Sequence, residues 1–339
     1  MCESSIETDL EEQTIAFSAD WEGDYEIYLI QADGSDLRQL TNNERMDIYP
    51  RWSPDSKLIA IVTGDLHTPK LTIFNLVGAG EERLVSDLLV SRLKFVWSPV
   101  GDHIAFWSTD NIYLVNTSDG SSMNLTSGAN LNAGLPSFSS DGKILVFDAD
   151  ILGSDQNTQL FIVEADGADL IEFNYDQGDV DSPMWHPFED KILFSAWSPK
   201  DGYVLYVVSI EGGDFILRID PDVSIFWPTW SPDGNTIAFV DITSQSSDDD
   251  NRRTDHVLWV MNADGTERTI VLDSIDGDPV RIIQGLSWAP DSRYIAFAGI
   301  INGGMITGDL FVVDICNGEV DLIAKGVDAV PPSWKPTSD

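Results

Sequence analysis

One segment of the chain recurs along most of its length, and this repetition restricts the fold more than any other feature. Its fullest form is Pro228-Thr229-Trp230-Ser231-Pro232-Asp233-Gly234, followed by Ile237-Ala238-Phe239. The pattern is read again at Pro50 to Ser56 with Ile59-Ala60-Ile61, and at Trp97-Ser98-Pro99 with Ile104-Ala105-Phe106. It returns at Pro136-Ser137-Phe138, at Pro183-Met184-Trp185 and at Trp288-Ala289-Pro290-Asp291, each with its own apolar run downstream. Pro332-Ser333-Trp334 ends the series without an Ile-Ala-Phe run, and Ile15-Ala16-Phe17 opens the chain without a Pro-x-Trp. The aromatic anchors fall at 52, 97, 138, 185, 230, 288 and 334, in steps of 45, 41, 47, 45, 58 and 46 residues. A period of that length suits a four-stranded antiparallel propeller blade.

Each unit reads as four strands, A to D. Strand A ends in Pro-x-Trp. Ser-Pro-Asp-Gly makes a tight turn, because Pro fixes φ and Gly supplies a positive one. The Ile-Ala-Phe run is strand B. Strand C carries an aromatic at Tyr28, Tyr113, Phe161, Tyr206, Trp259 and Phe311, with Thr72 the exception. An Asp-Gly hairpin turn then leads to strand D. The expected fold is all-β: a seven-bladed β-propeller of four-stranded blades. The C-terminal strand joins the N-terminal blade and closes the ring, since an open ring would expose two sheet edges. Residues 1–14 are read as a polar tether, 15–336 as one propeller domain and 337–339 as a tail.

The Pro-x-Trp-Ser-Pro-Asp-Gly…Ile-Ala-Phe signature, over roughly residues 15 to 336, resembles the TolB-type, WD-repeat-like propeller family. The resemblance implies a periplasmic or secreted propeller that binds proteins or polymers. TolB itself carries a further N-terminal domain and six blades, which departs from the pattern read here. Met1-Cys2 before a polar acidic stretch looks like the mature end of a bacterial lipoprotein, so Cys2 is a candidate for a lipid anchor. An ordinary terminal cysteine is the competing reading, and a Cys2–Cys316 bridge the lesser one. An extracytoplasmic location, periplasmic or at the cell surface, follows from the resemblance.

Charge narrows the partners. The chain has 57 acidic and 19 basic side chains, for a net charge of −38. Such a surface repels nucleic acids and anionic membranes and attracts basic proteins or peptides. No apolar run is long enough to span a bilayer.

Catalytic chemistry is not expected. His67, His103, His186 and His256 fall at unrelated repeat positions, which argues against a shared metal or a Ser-His-Asp set. No Gly-x-Ser-x-Gly elbow and no sialidase Asp-box occurs in the sequence. The Asp-Gly pairs lack the ligand spacing of a calcium loop and read as turns.

Loops on a rigid scaffold carry function, and here the B–C and D–A connections vary while the A–B and C–D turns are stereotyped. The variable face is therefore the expected binding face. Asp47, Asp179, Asp181 and Asp328 enter strand A, where they would surround the mouth of the channel and hold a Lys or Arg side chain. A divalent cation such as calcium is the weaker reading there, and no cofactor is otherwise expected. Trp21, Trp197 and Trp227, with Phe226 beside it, remain once the anchor tryptophans are set aside; exposed aromatics of this kind act as contact hot spots. The expected function is a non-catalytic scaffold holding a partner protein or peptide. The alternative is a carbohydrate-binding or polysaccharide-processing propeller using the mouth carboxylates.

Overall fold

The computed structural model describes residues 10, 13–65, 67–76, 82–90, 95–154, 157–173, 178–199, 202–210, 215–219, 225–244, 254–301, 308–328 and 330–337. Cys2, most of the expected tether and the Ser246 to Arg253 run lie outside them. Every element assigned among the described residues is a β-strand. The chain divides into two compact units. One comprises Met1–Trp52 with Asp222–Thr337, and the other Ser53–Pro221 with the last two residues.

Local pattern explains the strands. The Ile-Ala-Phe runs become long strands such as Thr14–Ala19, Ile144–Ile151 and Lys191–Ser198. Each lays its Phe directly opposite the aromatic of the following strand. The pairs are Phe17–Tyr28, Phe106–Tyr113, Phe147–Phe161, Phe194–Tyr206, Phe239–Trp259 and Phe297–Phe311. Their ring centroids lie 5.8, 5.7, 5.7, 5.4, 6.4 and 5.5 Å apart, in stacked orientation. All of the strand B rings in these pairs are buried. Such pairs contribute roughly 0.5–1.5 kcal/mol each beyond their area burial. The recurring Phe and the recurring strand C aromatic are thus two halves of one contact.

The Ser-Pro-Asp-Gly turn is equally regular. Ser53 Oγ donates to Asp55 Oδ1 at 2.7 Å and accepts the Leu58 N–H at 2.9 Å. Ser139 with Asp141 and Ser231 with Asp233 repeat this geometry at 2.8 and 2.5 Å. Where the repeat substitutes His186 for Ser, the imidazole Nδ1 accepts the N–H groups of Phe188 and Glu189 at 3.1 and 3.0 Å. A histidine that looked chemically available is therefore a turn anchor.

Seven separate blades are not what the hydrogen bonding makes. Among the described residues there are four sheets of four strands, one of five and one of nine. The five smaller sheets are blades; the nine-stranded sheet absorbs the strands of two repeats. In it, Val320–Val327 pairs with Thr14–Ala19 through Ala19↔Val327. The C-terminal strand Ser333–Trp334 also pairs antiparallel with Thr14–Ala19, through Ile15↔Trp334 and Ala16↔Ser333. Counting anchors counts repeats, but a sheet ends where its ladder ends. The ladder here continues from strand D of one repeat onto strand B of the next.

Strand A bends in a way the sequence pattern does not announce. Its register shifts between Asp181 and Met184, Phe226 and Thr229, and Ile283 and Ser287. The residue three places before the anchor Trp takes a positive φ at Tyr49 (57°), Ser182 (54°), Trp227 (51°) and Gly285 (119°). These are β-bulges, which add twist and re-aim the side chains beside them. In the five-stranded sheet the same region opens outright. Gly134 and Leu135 donate to the carbonyl and carboxylate of Asp148, at 2.6 and 2.9 Å. A Cβ on Gly134 would fall on that carboxylate, so any other residue would have to displace the Asp148 side chain.

The one repeat without an aromatic pair sets Ile61 opposite Thr72. Thr72 is 1% exposed, and its hydroxyl has no hydrogen-bond partner among the described residues. A buried unsatisfied hydroxyl costs about 1–3 kcal/mol. Thr72→Val keeps the shape and removes that cost. It is expected to raise unfolding stability by about 1 kcal/mol in urea denaturation; a loss of stability would contradict the account.

Candidate functional site

The expected site residues separate into structural anchors and exposed groups. Asp47 is fully buried. Asn43 Nδ2 donates to its Oδ2 at 2.7 Å, and its own N–H donates to the Tyr25 carbonyl at 2.7 Å. The neighbouring Glu26 is also buried and accepts the Asn43 N–H at 2.6 Å and the Thr41 hydroxyl. Burial pushes the Glu26 carboxyl above the ordinary carboxylate range. The Thr41 and Asn43 hydrogen bonds oppose that rise, while the charges of Asp47 and Asp24 add to it. Asp47 thus ties down the connection entering strand A. Asp328 does similar work: its N–H donates to the Ser18 carbonyl at 2.8 Å, and Ser18 Oγ donates to its carboxylate at 3.4 Å.

Trp21, though 39% exposed, is tied down by its contacts. It packs on Tyr28 and Phe17, with centroids 4.5 and 5.7 Å away, and its indole N–H donates to the Lys325 carbonyl at 2.9 Å. Phe226 and Trp227 sit together, 6.3 Å between centroids, and Trp227 lies 6.3 Å from the buried His256. Asp47, Asp328, Trp21, Phe226 and Trp227 belong to the first unit, and Asp179, Asp181 and Trp197 to the second.

The second group is the one that the structure assembles on an open surface. Trp197, left over once the anchor tryptophans are set aside, lies on strand Lys191–Ser198. Its register partners are Asp179 on strand Asp179–Trp185 and Tyr203 on strand Gly202–Ser209. Directly opposed residues share a sheet face, so Asp179, Trp197 and Tyr203 form a row across three strands. Asp181, opposite Ser195, lies one pleat further along the same face. Trp197 is 40% exposed, Asp181 is exposed, and Asp179 and Tyr203 are half-buried.

The row is held in place from beside it. The Thr158 N–H donates to Asp179 Oδ1 at 3.1 Å, and the Thr158 hydroxyl donates to Asp150 Oδ1 at 2.6 Å. Burial holds the Tyr203 phenol above its ordinary pKa, and the nearby Asp181 charge raises it further. Sequence reading did not reach Tyr203, Asp150 or Thr158. Only the long hairpin sets Tyr203 beside Trp197.

Other candidates are less developed. A cavity of about 320 Å³ in the first unit is lined by Thr14, Leu29, Gln31, Asp36, Leu37 and Arg38. Among the described residues, no group of three or more His, Cys, Asp or Glu side chains is placed to hold a metal ion, which bears on the calcium reading. No helix among them is long and apolar enough to cross a membrane. The Cys316 N–H donates to Asp314 Oδ1 at 2.9 Å.

Comparison with known proteins places the chain. The family model of the TolB beta propeller domain matches residues 13–206, more than half of the sequence. The chain belongs to the TolB β-propeller domain family. A protein TolB homolog of Chlorobium luteolum is 35% identical over 69 residues, 20% of this chain and 16% of that protein. The Bacillus subtilis protein named uncharacterized peptidase YuxL is 27% identical over 181 residues, 53% of this chain and 24% of that protein. The chain therefore spans under a quarter of the length of either curated relative. Among solved structures, TolB from Acinetobacter baumannii superposes with a TM-score of 0.56 at 18% identity, over 96% of this chain and 67% of that one. Oligogalacturonate lyase from Vibrio parahaemolyticus superposes at 0.66 and 15% identity, over 92% and 84%. At such identities the likeness is one of fold.

These relatives overturn the expectation that the chain has no enzymatic role. One sequence relative is named a peptidase, and a protein named a lyase shares the fold, so the fold does not separate enzymes from TolB proteins. The hydrolase elbow, the sialidase Asp-box and a histidine cluster, all missing from the sequence, sample a small part of catalytic chemistry.

The buried carboxyl of Glu26 gives a pH test of the anchoring network. Its folded-state pKa is raised, so the folded form gains relative stability as pH falls through that value. Glu26→Gln removes this proton uptake. Unfolding free energy measured between pH 7 and pH 4 is expected to change less favourably on acidification in the variant than in the parent. Identical pH dependence would contradict a buried, ionisable Glu26.

Proposed function

We propose that the chain is a TolB-like binding module acting outside the cytoplasm, and that it holds a polypeptide with a basic segment. The observation that carries this reading is the Asp179–Trp197–Tyr203 row with Asp181 beside it. It combines an exposed aromatic face with pre-positioned carboxylates in a chain of net charge −38. Carboxylates at an accessible rim speed the approach of a basic partner, and the aromatic face supplies contact area with little entropy to lose. The B. subtilis relative named a peptidase supports a polypeptide as the class of ligand. The TolB β-propeller family to which the chain belongs supports the place outside the cytoplasm.

The test is capture of an oligolysine–oligoarginine peptide library on the immobilised chain, at low and moderate salt, beside an Asp179→Asn/Asp181→Asn variant. Binding is expected to fall steeply with salt, and the double variant is expected to lose about tenfold in affinity, equivalent to roughly 1.4 kcal/mol. Equal retention by parent and variant would refute this placement of the site.

A further inference from the structure

We infer that the Asp179–Trp197–Tyr203 row is an arginine site, one that selects a guanidinium over an ammonium. The inference rests on the polypeptide reading above and adds the identity of the side chain recognised. Three features carry it.

The first is the platform. Trp197 has two-fifths of its surface open, and its directly opposed neighbours are a carboxylate on one strand and a phenol on the other. A planar cation lying on the indole therefore has an acceptor at the edge of the ring without leaving the face. Indole is the strongest of the side-chain platforms for a cation, and guanidinium stacks on it flat.

The second is the spacing of the acceptors. Asp179 and Asp181 are two residues apart on one strand, about 7 Å at the usual rise. A guanidinium presents five N–H donors in a rigid planar fork, and can reach an acceptor from each side. An ammonium is a compact, strongly hydrated point charge that satisfies one carboxylate at a time and gains little from a flat surface.

The third is preorganisation. Asp179 is fixed by the Thr158 N–H, and the same residue's hydroxyl fixes Asp150. Tyr203 is half-buried and is held in register opposite Trp197. Little rotamer entropy is then lost when a ligand arrives.

The experiment uses the full chain and two peptides, acetyl-Gly-Gly-Arg-Gly-Gly-amide and its Lys counterpart, titrated by calorimetry or by competition with a labelled oligoarginine. The arginine peptide is expected to bind at least fivefold more tightly than the lysine peptide. Trp197→Ala, a change at an exposed position, is expected to bring the two to the same affinity. Trp197→Phe should keep part of the preference, and Asp179→Asn/Asp181→Asn should weaken both peptides. Equal binding of the two peptides by the parent would overturn the arginine assignment while leaving the polypeptide reading intact. An arginine preference that survives Trp197→Ala would overturn the stacking placement. Failure of both peptides and of oligoarginine to bind would overturn the two readings together.

Discussion

The contact on which this structure depends is the stacked pair between the strand B phenylalanine and the aromatic opposite it on strand C. It recurs in six repeats with centroid separations between 5.4 and 6.4 Å. Because side chains alternate between the two faces of a strand, a one-residue slip would move every such ring to the wrong face. The pair therefore fixes the register of the B–C hairpin. With register fixed, the lengths to which strands B and C extend past the core decide what stands at the loop end of each sheet. The Ser-Asp turn performs the matching task at the other end, between strands A and B.

This division of labour explains why the candidate site lies where it does. Up to Ala196, strand Lys191–Ser198 is occupied with packing: Ile192, Phe194 and Ala196 belong to the buried cluster of their sheet. Beyond that point the hairpin continues for one more pair of residues on each side. Trp197 is carried into solvent on the strand ladder instead of on a loop, with half-buried Tyr203 opposite it. Sites built on strands hold their geometry better than sites on loops. The corresponding positions elsewhere are spent differently. Trp21 closes over Phe17 and Tyr28, and Asp47 and Asp328 secure chain connections, so similar residue types do structural work in other repeats.

Much of the fold was legible because turn chemistry and hydrophobic runs repeat in register along the chain. Pro-x-Trp, Ser-Pro-Asp-Gly and Ile-Ala-Phe each mark one strand or turn, and the pairing of Ser333–Trp334 with Thr14–Ala19 was visible as two complementary half-units. The sheet count was not legible, because the link Ala19↔Val327 depends on how far strand Val320–Val327 extends, which no motif encodes. The site was half legible. Asp179 and Asp181 stood out as acidic residues entering strand A, and Trp197 as a tryptophan left over once the anchors are set aside. Tyr203, Asp150 and Thr158 did not, since their role arises from cross-strand placement. Asp47 looked equivalent to Asp179 in sequence and differs from it through full burial, whereas Asp328 is half-buried like Asp179 and differs in its partner, the Ser18 hydroxyl.

The central claim is that the face carrying Asp179, Asp181, Trp197 and Tyr203 contacts the ligand. Hydrogen–deuterium exchange of the intact chain, with and without a saturating arginine-rich peptide, tests it most directly. Added protection is predicted over residues 178–183 and 195–204, with little change in the Ser-Pro-Asp-Gly turns or around Asp47 and Asp328. Protection centred on those turns or on the Asp47 and Asp328 connections, with 178–183 and 195–204 unchanged, would contradict the account.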